Sequence, residues 1–587
     1  MTSHDQRAER KSIWHDLLER RINRRSLVAT GAAAAAVAAL PLDLQTAEAA
    51  QYNAPTSVPA LAQRQAQGSL PFKPISTSLA DDLILPEGFR YDLLAHRGHD
   101  MGNGNQFGEN ADFLAFFPID MLEKGLDQTR PQFGFTRSDL SSSDGLLLVN
   151  HEYINPMFIS GYTGSGAKSG DQINAEKHMV GMSVIRVKRN SDGRWYFDQT
   201  DAAHNRRIDA TTPITLTGPA ANIDGGPIAI GSLGNCSGGV TPWGTALSCE
   251  ENFQDYPNAA PTGYGWEPEI YAKRHYGWVV EVDPFDKNST PRKHTALGRF
   301  RHENVAVRVG GDGTVVAYMG DDKADSCVYK FVAERKLTNL ADRPGNMQIL
   351  ESGQLYAADF ANGKWILLDY NSQSALQSAK DSKGNLLFTS QADVLADAQA
   401  AAMALKATPV DRPEDIEIHP LDGSVYVALT NNTGHGNFHG QIVRLAETDG
   451  NPAAMSFDWS IFAVGGSQSG FSSPDNLVFD GEGNLWMVTD ISSSRTNKGI
   501  YKFQGNNGLF FFRTSGPDAG IAFQFASGPV ECELTGPCWS PDGRTLFLSI
   551  QHPGEESKSL TELSSHWPIG GNEVPRSGVV AITGFKR

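Results

Sequence analysis

The sequence predicts an all-β fold, a six-bladed β-propeller with inserted loops and little helix, on three observations. A unit made of a turn, an apolar strand and then polar, ligand-type residues returns six times along the chain. The strand runs are rich in β-branched and aromatic residues. Helical patterns are scarce: only residues 392–405, containing the Ala-rich A-D-A-Q-A-A-A-M-A, read as an internal helix, inserted between blades.

The six copies run in order. Asp144-Gly145 leads into L-L-L-V-N-H-E, Trp243-Gly244 into T-A-L-S-C-E-E-N, and Asp312-Gly313 into T-V-V-A-Y-M-G-D-D. Asp422-Gly423 leads into S-V-Y-V-A-L-T-N-N, Asp480 to Asn484 into L-W-M-V-T-D, and Asp542-Gly543 into R-T-L-F-L-S-I-Q-H. The Asp-Gly pairs suit tight hairpin turns that need positive φ. A second short strand precedes several turns and itself opens on acidic or amide residues: Glu303-Asn304, Glu414-Asp415 and Asp475-Asn476. In an antiparallel pair, the start of one strand and the end of its partner share an end. That brings Glu303 toward Asp321, Glu414 toward Asn431 and Asp475 toward Asp490, and Cys236 and Glu251 bracket their hairpin in the same way. Radial packing of such units gathers these groups at one mouth of a central channel. A pair of β-sandwiches would scatter them.

Three regions are expected. Residues 1–50 read as a twin-arginine signal: Arg24 and Arg25 precede the apolar run Val28 to Leu40, and Ala47-Glu48-Ala49 offers a small-x-small cleavage site. The run falls short of the roughly 20 residues of a spanning helix, and no later segment is apolar enough, so no membrane span is expected after signal removal. Residues 51–85 read as an irregular arm rich in Pro, Ser and Gln, and residues 86–587 as a single propeller with insertions. Export by the twin-arginine machinery places the protein in the periplasm or outside the cell.

A net charge of -17 and the lack of Lys/Arg runs after residue 50 argue against nucleic acid or an anionic membrane as partner. The five cysteines are an odd number for an oxidising compartment. Cys532 and Cys538 are close enough to bridge a local loop, Cys249 and Cys327 read as buried residues, and Cys236 reads as a ligand.

The stretch N-C-S-G-G-V-T-P-W-G-T-A-L-S-C-E-E-N, Asn235 to Asn252, sets that thiol and two carboxylates at the ends of one hairpin. A mouth ringed by Glu152, Glu251, Glu303, Glu414 and Asp490 requires cations to offset the repulsion of so many carboxylates. Carboxylate and amide oxygens suit calcium, and a thiolate brings in iron or zinc. Arg412, two residues before Glu414, places a guanidinium among these ions, and its planar fork matches phosphate. Metals with an arginine point to phosphoryl transfer. Ser237 has neither an elbow motif nor a spaced His, so a serine nucleophile is not expected.

These residues resemble the PhoX-type alkaline phosphatases over most of the mature chain. The resemblance rests on the twin-arginine leader, Asn150-His151-Glu152-Tyr153, the Asn235 to Asn252 block, Arg301-His302-Glu303-Asn304, Gly320-Asp321-Asp322 and Arg412-Pro413-Glu414-Asp415. It implies a phosphomonoesterase on a six-bladed propeller, with two Fe(III) ions and Ca2+ ions at the channel mouth joined by an oxo bridge, and small-molecule phosphate monoesters as substrates. By motif, Cys236 and Glu251 would bind iron, Glu303 and Glu414 would be shared between iron and calcium, Glu152 would bind calcium, and Arg412 would grip phosphate as the catalytic and substrate-binding residue. Asp321, Asp322 and Asp490 are added as metal ligands from the repeat. The competing readings are a calcium-dependent phosphodiesterase or lactonase, which would not need Cys236, and a non-catalytic, calcium-stabilised binding propeller.

Overall fold

The structure, a computed structural model, describes residues 13–26, 66, 68–125, 139–256, 264–267 and 270–586. Six sheets surround a central axis, and each contributes one inner strand to the wall of the channel. In blade order these inner strands are Ala111–Pro118, Asn235–Val240, His302–Val309, Pro413–Ile418, Pro474–Phe479 and Glu533–Trp539. Each lies against the next, and the sixth lies against the first.

The six expected repeats are the second strands of these blades: Asp144–His151, Ala246–Glu250, Thr314–Asp321, Val425–Leu429, Leu485–Thr489 and Thr545–Gln551. Several are buried along their whole length, as in V-Y-V-A-L and T-L-F-L-S-I-Q. A blade is covered on both faces by its neighbours, so its central strands read as continuous apolar runs rather than alternating ones. Turn glycines Gly313, Gly423 and Gly543 have φ of 82°, 69° and 62°, the left-handed conformation expected of them. Gly145 is different. The first blade has no tight hairpin; its inner strand ends at Pro118 and Gly145 already lies in the second strand, opposite Pro118.

The last blade is completed by the chain's own beginning: Arg90–His96 pairs antiparallel with Gly578–Thr583 at its outer edge. Ahead of it, the arm is anchored by Phe72, whose ring sits 5.0 Å from Phe525 and 5.7 Å from Phe511, and by Ile84, whose amide donates to Ser527 O. The internal helix is two short ones, Gln391–Ala396 and Ala398–Ala404. Asp397 breaks them: its backbone leaves the helical region and its side chain caps the second by accepting from the Ala400 amide at 3.3 Å. The five cysteines are free; Cys532 is buried between the last two blades and Cys538 Sγ accepts from the Phe116 amide, so the expected local bridge does not form.

Of the expected export signal, the apolar run and the cleavage site lie outside the described residues. The segment Ile13–Ser26 ahead of them is helical. Among the described residues no helix is long and apolar enough to cross a membrane.

Candidate metal centre

Five inner strands share an irregularity at the same place. Their pairing with the second strand slips by one residue, so that two inner-strand residues face one partner residue. The two are Asp112-Phe113, Cys236-Ser237, Glu303-Asn304, Glu414-Asp415 and Asp475-Asn476. A β-bulge re-aims a side chain that regular pleating would send to one face of the sheet. In each blade the first bulged residue carries a carboxylate or thiol, and all five stand in the channel mouth.

There they form a continuous chain of ligand-type groups. Asp112, Glu152 and Cys236 have ligand atoms within 4.8 Å of one another, as do Cys236, Glu251 and Glu303, and again Glu303, Glu414 and Asp475. Cys236 Sγ lies 3.4 Å from Glu303 Oε1. Glu152 and Glu251 are supplied by the ends of second strands and complete the set. Glu533, from the sixth inner strand, lies beside Asp475.

The second bulged residues hold the ring of strands together. Asp415 accepts from the amides of Ile416 at 2.7 Å and Leu477 at 2.6 Å, bridging two blades. Asn304 donates to Asp415 and to Ile416 O, and Asn476 Oδ1 accepts from the Gly536 amide at 2.8 Å and from Thr535 Oγ1. Side-chain amides orient the ligand groups from outside. Asn252 Nδ2 donates to Glu152 Oε1 at 2.9 Å and to Glu251 Oε2 at 2.5 Å, while Gln551 Nε2 donates to Glu152 Oε2 at 2.9 Å and Asp112 Oδ2 at 3.1 Å.

Burial and mutual repulsion push these acids upward together. Glu152 is raised to about 8, by burial first and then by the charge of Asp112, which is itself raised by burial to about 6. Burial, reinforced by neighbouring carboxylates, holds Glu251, Glu303, Glu414, Asp475 and Glu533 well above the carboxylate range and the Cys236 thiol well above its usual value. Asp475 Oδ2 is buried without a hydrogen-bond donor. Acids packed this closely are stable as anions only if cations lie among them. One sulfur shared by two of these groups, beside the all-oxygen group of Glu303, Glu414 and Asp475, fits a transition metal next to hard divalent ions.

Arg412 stands on the rim. Its φ of 51° is in the left-handed region, and its guanidinium grips Asp322 in a fork, Nε to Oδ1 at 2.8 Å and Nη2 to Oδ2 at 2.6 Å, with Glu414 Oε1 at 2.7 Å. Asp490 is half-buried on the same rim, in the field of Arg412 and His552. Burial would lower His552, but Glu555, Asp490 and Glu152 carry it above its ordinary value. Asp321 is turned away: its carboxylate accepts from the Arg301 amide at 3.2 Å and from Ser326 Oγ, and it belongs to none of the three ligand groups.

Of the residues expected from sequence, the fold therefore brings together Glu152, Cys236, Glu251, Glu303 and Glu414, with Asp322, Asp490 and Arg412 on the rim and Asp321 outside. Asp112, Asp475 and Glu533 were not expected as ligands. Asp475-Asn476 carried the same signature as Glu303-Asn304 and Glu414-Asp415 and was readable. Asp112 was not, because its strand is followed by a long insertion rather than by a turn.

A family model described as alkaline phosphatase PhoX matches residues 70–554. The solved structure of Pseudomonas fluorescens PhoX in complex with vanadate, a transition state analogue, is 32% identical and covers 88% of this chain and 99% of its own, with a TM-score of 0.74. A putative 6-phosphogluconolactonase from Bacteroides fragilis is more distantly similar, at 10% identity over 65% of this chain and 82% of its own, with a TM-score of 0.25. Comparison with curated proteins gives no match.

Proposed function

This chain belongs to the alkaline phosphatase PhoX family, and from that premise we propose that it hydrolyses phosphate monoesters to inorganic phosphate at the channel mouth. The observation that carries this reading is the convergence of Asp112, Cys236, Glu303, Glu414 and Asp475, each the first residue of a bulge, on one opening beside Arg412.

The cofactors proposed are Fe(III) and Ca2+. Cys236, Glu251 and Glu303 would hold iron, which favours the one soft sulfur donor; Asp112 with Glu152, and Glu414 with Asp475, are all-oxygen sets suited to calcium. When bound, such ions polarise phosphoryl oxygens and neutralise developing charge. The chain's own groups do the positioning. Asn252 and Gln551 fix the carboxylate planes, and the Arg412 fork, set by Asp322, presents two parallel N–H groups to an arriving phosphate. Phosphate displaces part of the Asp322 and Glu414 pairing on arrival, exchanging one bidentate anion for another. Asp322 and Asp490 serve as rim ligands or charge partners in this scheme; Asp321 serves as a strand pin.

We further propose that residues 1–50 direct export by the twin-arginine route, to the periplasm or beyond, ahead of an arm over 51–85 and one propeller domain over 86–587. The test of function is metal analysis by mass spectrometry paired with p-nitrophenyl phosphate hydrolysis, in calcium and in chelator. Iron and calcium in the protein, chelator-sensitive turnover and inhibition by vanadate are expected. Turnover indifferent to chelator, or none from protein containing both metals, would refute the proposal.

A further inference from the structure

The helix Ile13–Ser26 belongs to no blade, yet its first turn is set into the ring. Trp14 is fully buried, its ring 5.0 Å from Trp459 and 5.1 Å from Phe360, the latter edge-on. The indole Nε1 donates to Asp411 Oδ2 at 3.1 Å. His15 Nε2 lies 3.3 Å from the same oxygen, and its ring is 5.0 Å from that of His435. Leu17 and Leu18 pack half-buried against the same cluster. Trp459 comes from the outermost strand of the fourth blade and Phe360 from the loop after Gly353–Asp359 in the third, so the socket straddles two blades.

The fit is chemical as well as steric. An indole is a large apolar body with one donor, and such a group is satisfied in a core only if an acceptor meets that donor. Asp411 is 1% exposed, an unusual place for a carboxylate, and the amides of Asn437 at 2.9 Å and Gln441 at 3.4 Å meet the same oxygen that Trp14 and His15 use. A buried carboxylate collecting donors from both sides of the contact marks a built socket, because removing donors from one side leaves a buried charge short of partners.

We infer that Phe360, Trp459 and Asp411 form a docking site for the protein's own segment Ile13–Ser26, which reads Trp14 and His15 and clasps the Arg24- and Arg25-bearing helix to the folded propeller. The partner is this chain's own N-terminal segment, in cis. Docking also touches the proposed phosphate site through the backbone: Asp411 immediately precedes Arg412, and the strand Val410–Asp411 pairs with Ala324–Ser326, just beyond Asp322. The folded precursor therefore carries its paired arginines on a helix whose first turn is anchored, and any receptor that engages this segment in extended form must compete with the Trp14 socket.

The full-length chain tests this by hydrogen exchange and limited trypsin digestion, wild type against Trp14→Ala, with the unprocessed mass verified first. In the wild type, amides of residues 13–26 should exchange at least tenfold more slowly than in Trp14→Ala, and trypsin should cut at Arg20 to Arg25 correspondingly more slowly. Exchange of the blade strands should be the same in both, since Trp14 lies outside every sheet. Trp14→Phe, which keeps the ring and loses the donor, should fall between them. An N-terminal segment that exchanges as fast in the wild type as in Trp14→Ala overturns the inference. So does protection that grows with protein concentration, which would place the helix on a second copy.

Discussion

Cys236 Sγ and Glu303 Oε1 stand 3.4 Å apart although 67 residues separate them in the chain. They meet because each is the first residue of a bulge on adjacent inner strands, those of the second and third blades. Burial and neighbouring carboxylates hold both groups in their neutral forms when no cation is near, so a bound metal would be what lets them ionise together, and the thiol would narrow the choice to a soft or borderline one.

Cys236→Ala should therefore lose iron while keeping its fold, with kcat reduced by more than the roughly 10- to 100-fold typical of removing a group that only orients a ligand. Cys236→Ala retaining full iron content by mass spectrometry would refute the assignment. Asn252→Ala, which removes such an orienting group from Glu152 and Glu251, should fall in that 10- to 100-fold range of metal affinity.

The acidic cluster makes stability depend on pH in opposite ways with and without cations. In chelator, Glu152 titrates near 8 and Asp112 near 6 in the folded protein, both above their unfolded values. The folded state then holds more protons than the unfolded one, so stability falls as pH rises from about 4 to 8. Calcium and iron, which on the proposed assignment would bind the ionised forms, should reverse that trend. Melting temperature should thus decline across this interval in chelator and hold or rise with the metals; parallel curves would contradict the placement of cations among these groups.

Arg412→Lys keeps a positive charge but loses the planar fork, and Arg412→Ala loses both. Each should raise KM for p-nitrophenyl phosphate and the inhibition constant of inorganic phosphate together, by about tenfold for Lys and more for Ala, since charge-assisted hydrogen bonds contribute about 1.5–3 kcal/mol each. Unchanged phosphate inhibition in both would remove Arg412 from the binding site.

Asp321 and Glu414 carry the sharpest contrast between position in sequence and role in structure. Asp321→Asn should retain metal content and most activity, because its carboxylate serves only the Arg301 amide and Ser326. Glu414→Gln should lose calcium and most turnover. Equal losses in the two would show that Asp321 is a ligand after all.

The blade count and most of the cluster were legible because turn, strand and ligand recur in a fixed local order, as in Asp312-Gly313 to Asp321 or Asp422-Gly423 to Leu429. What could not be read is pairing. A bulge is a relation between two strands, so nothing in Glu414-Asp415 or Asp475-Asn476 alone announces that two residues will face one. The same limit hid Asp112, whose partner strand follows a long insertion, and it does not tell Asp321, held by the Arg301 amide and Ser326, from Asp322, held by Arg412. The single helix expected over 392–405 is broken because Asp397 caps more favourably than it continues.

Asp415 holds two blades by accepting from the Ile416 and Leu477 amides. Asp415→Ala leaves the buried Leu477 amide unpartnered and should cost about 2–3 kcal/mol, seen as a lowered denaturant midpoint. Metal content should fall with it, as the bulges of Glu414 and Asp475 loosen.

The strand Arg90–His96 completes the sheet whose other three members end with Thr583. The circle cannot close until residues 578–583 fold back onto Arg90–His96, so Asp112 of the first blade and Glu533 of the last are locked side by side only once that pair forms. Truncation ahead of Gly578 should therefore keep most of the ligand-type side chains while forfeiting the closure that draws them around one opening.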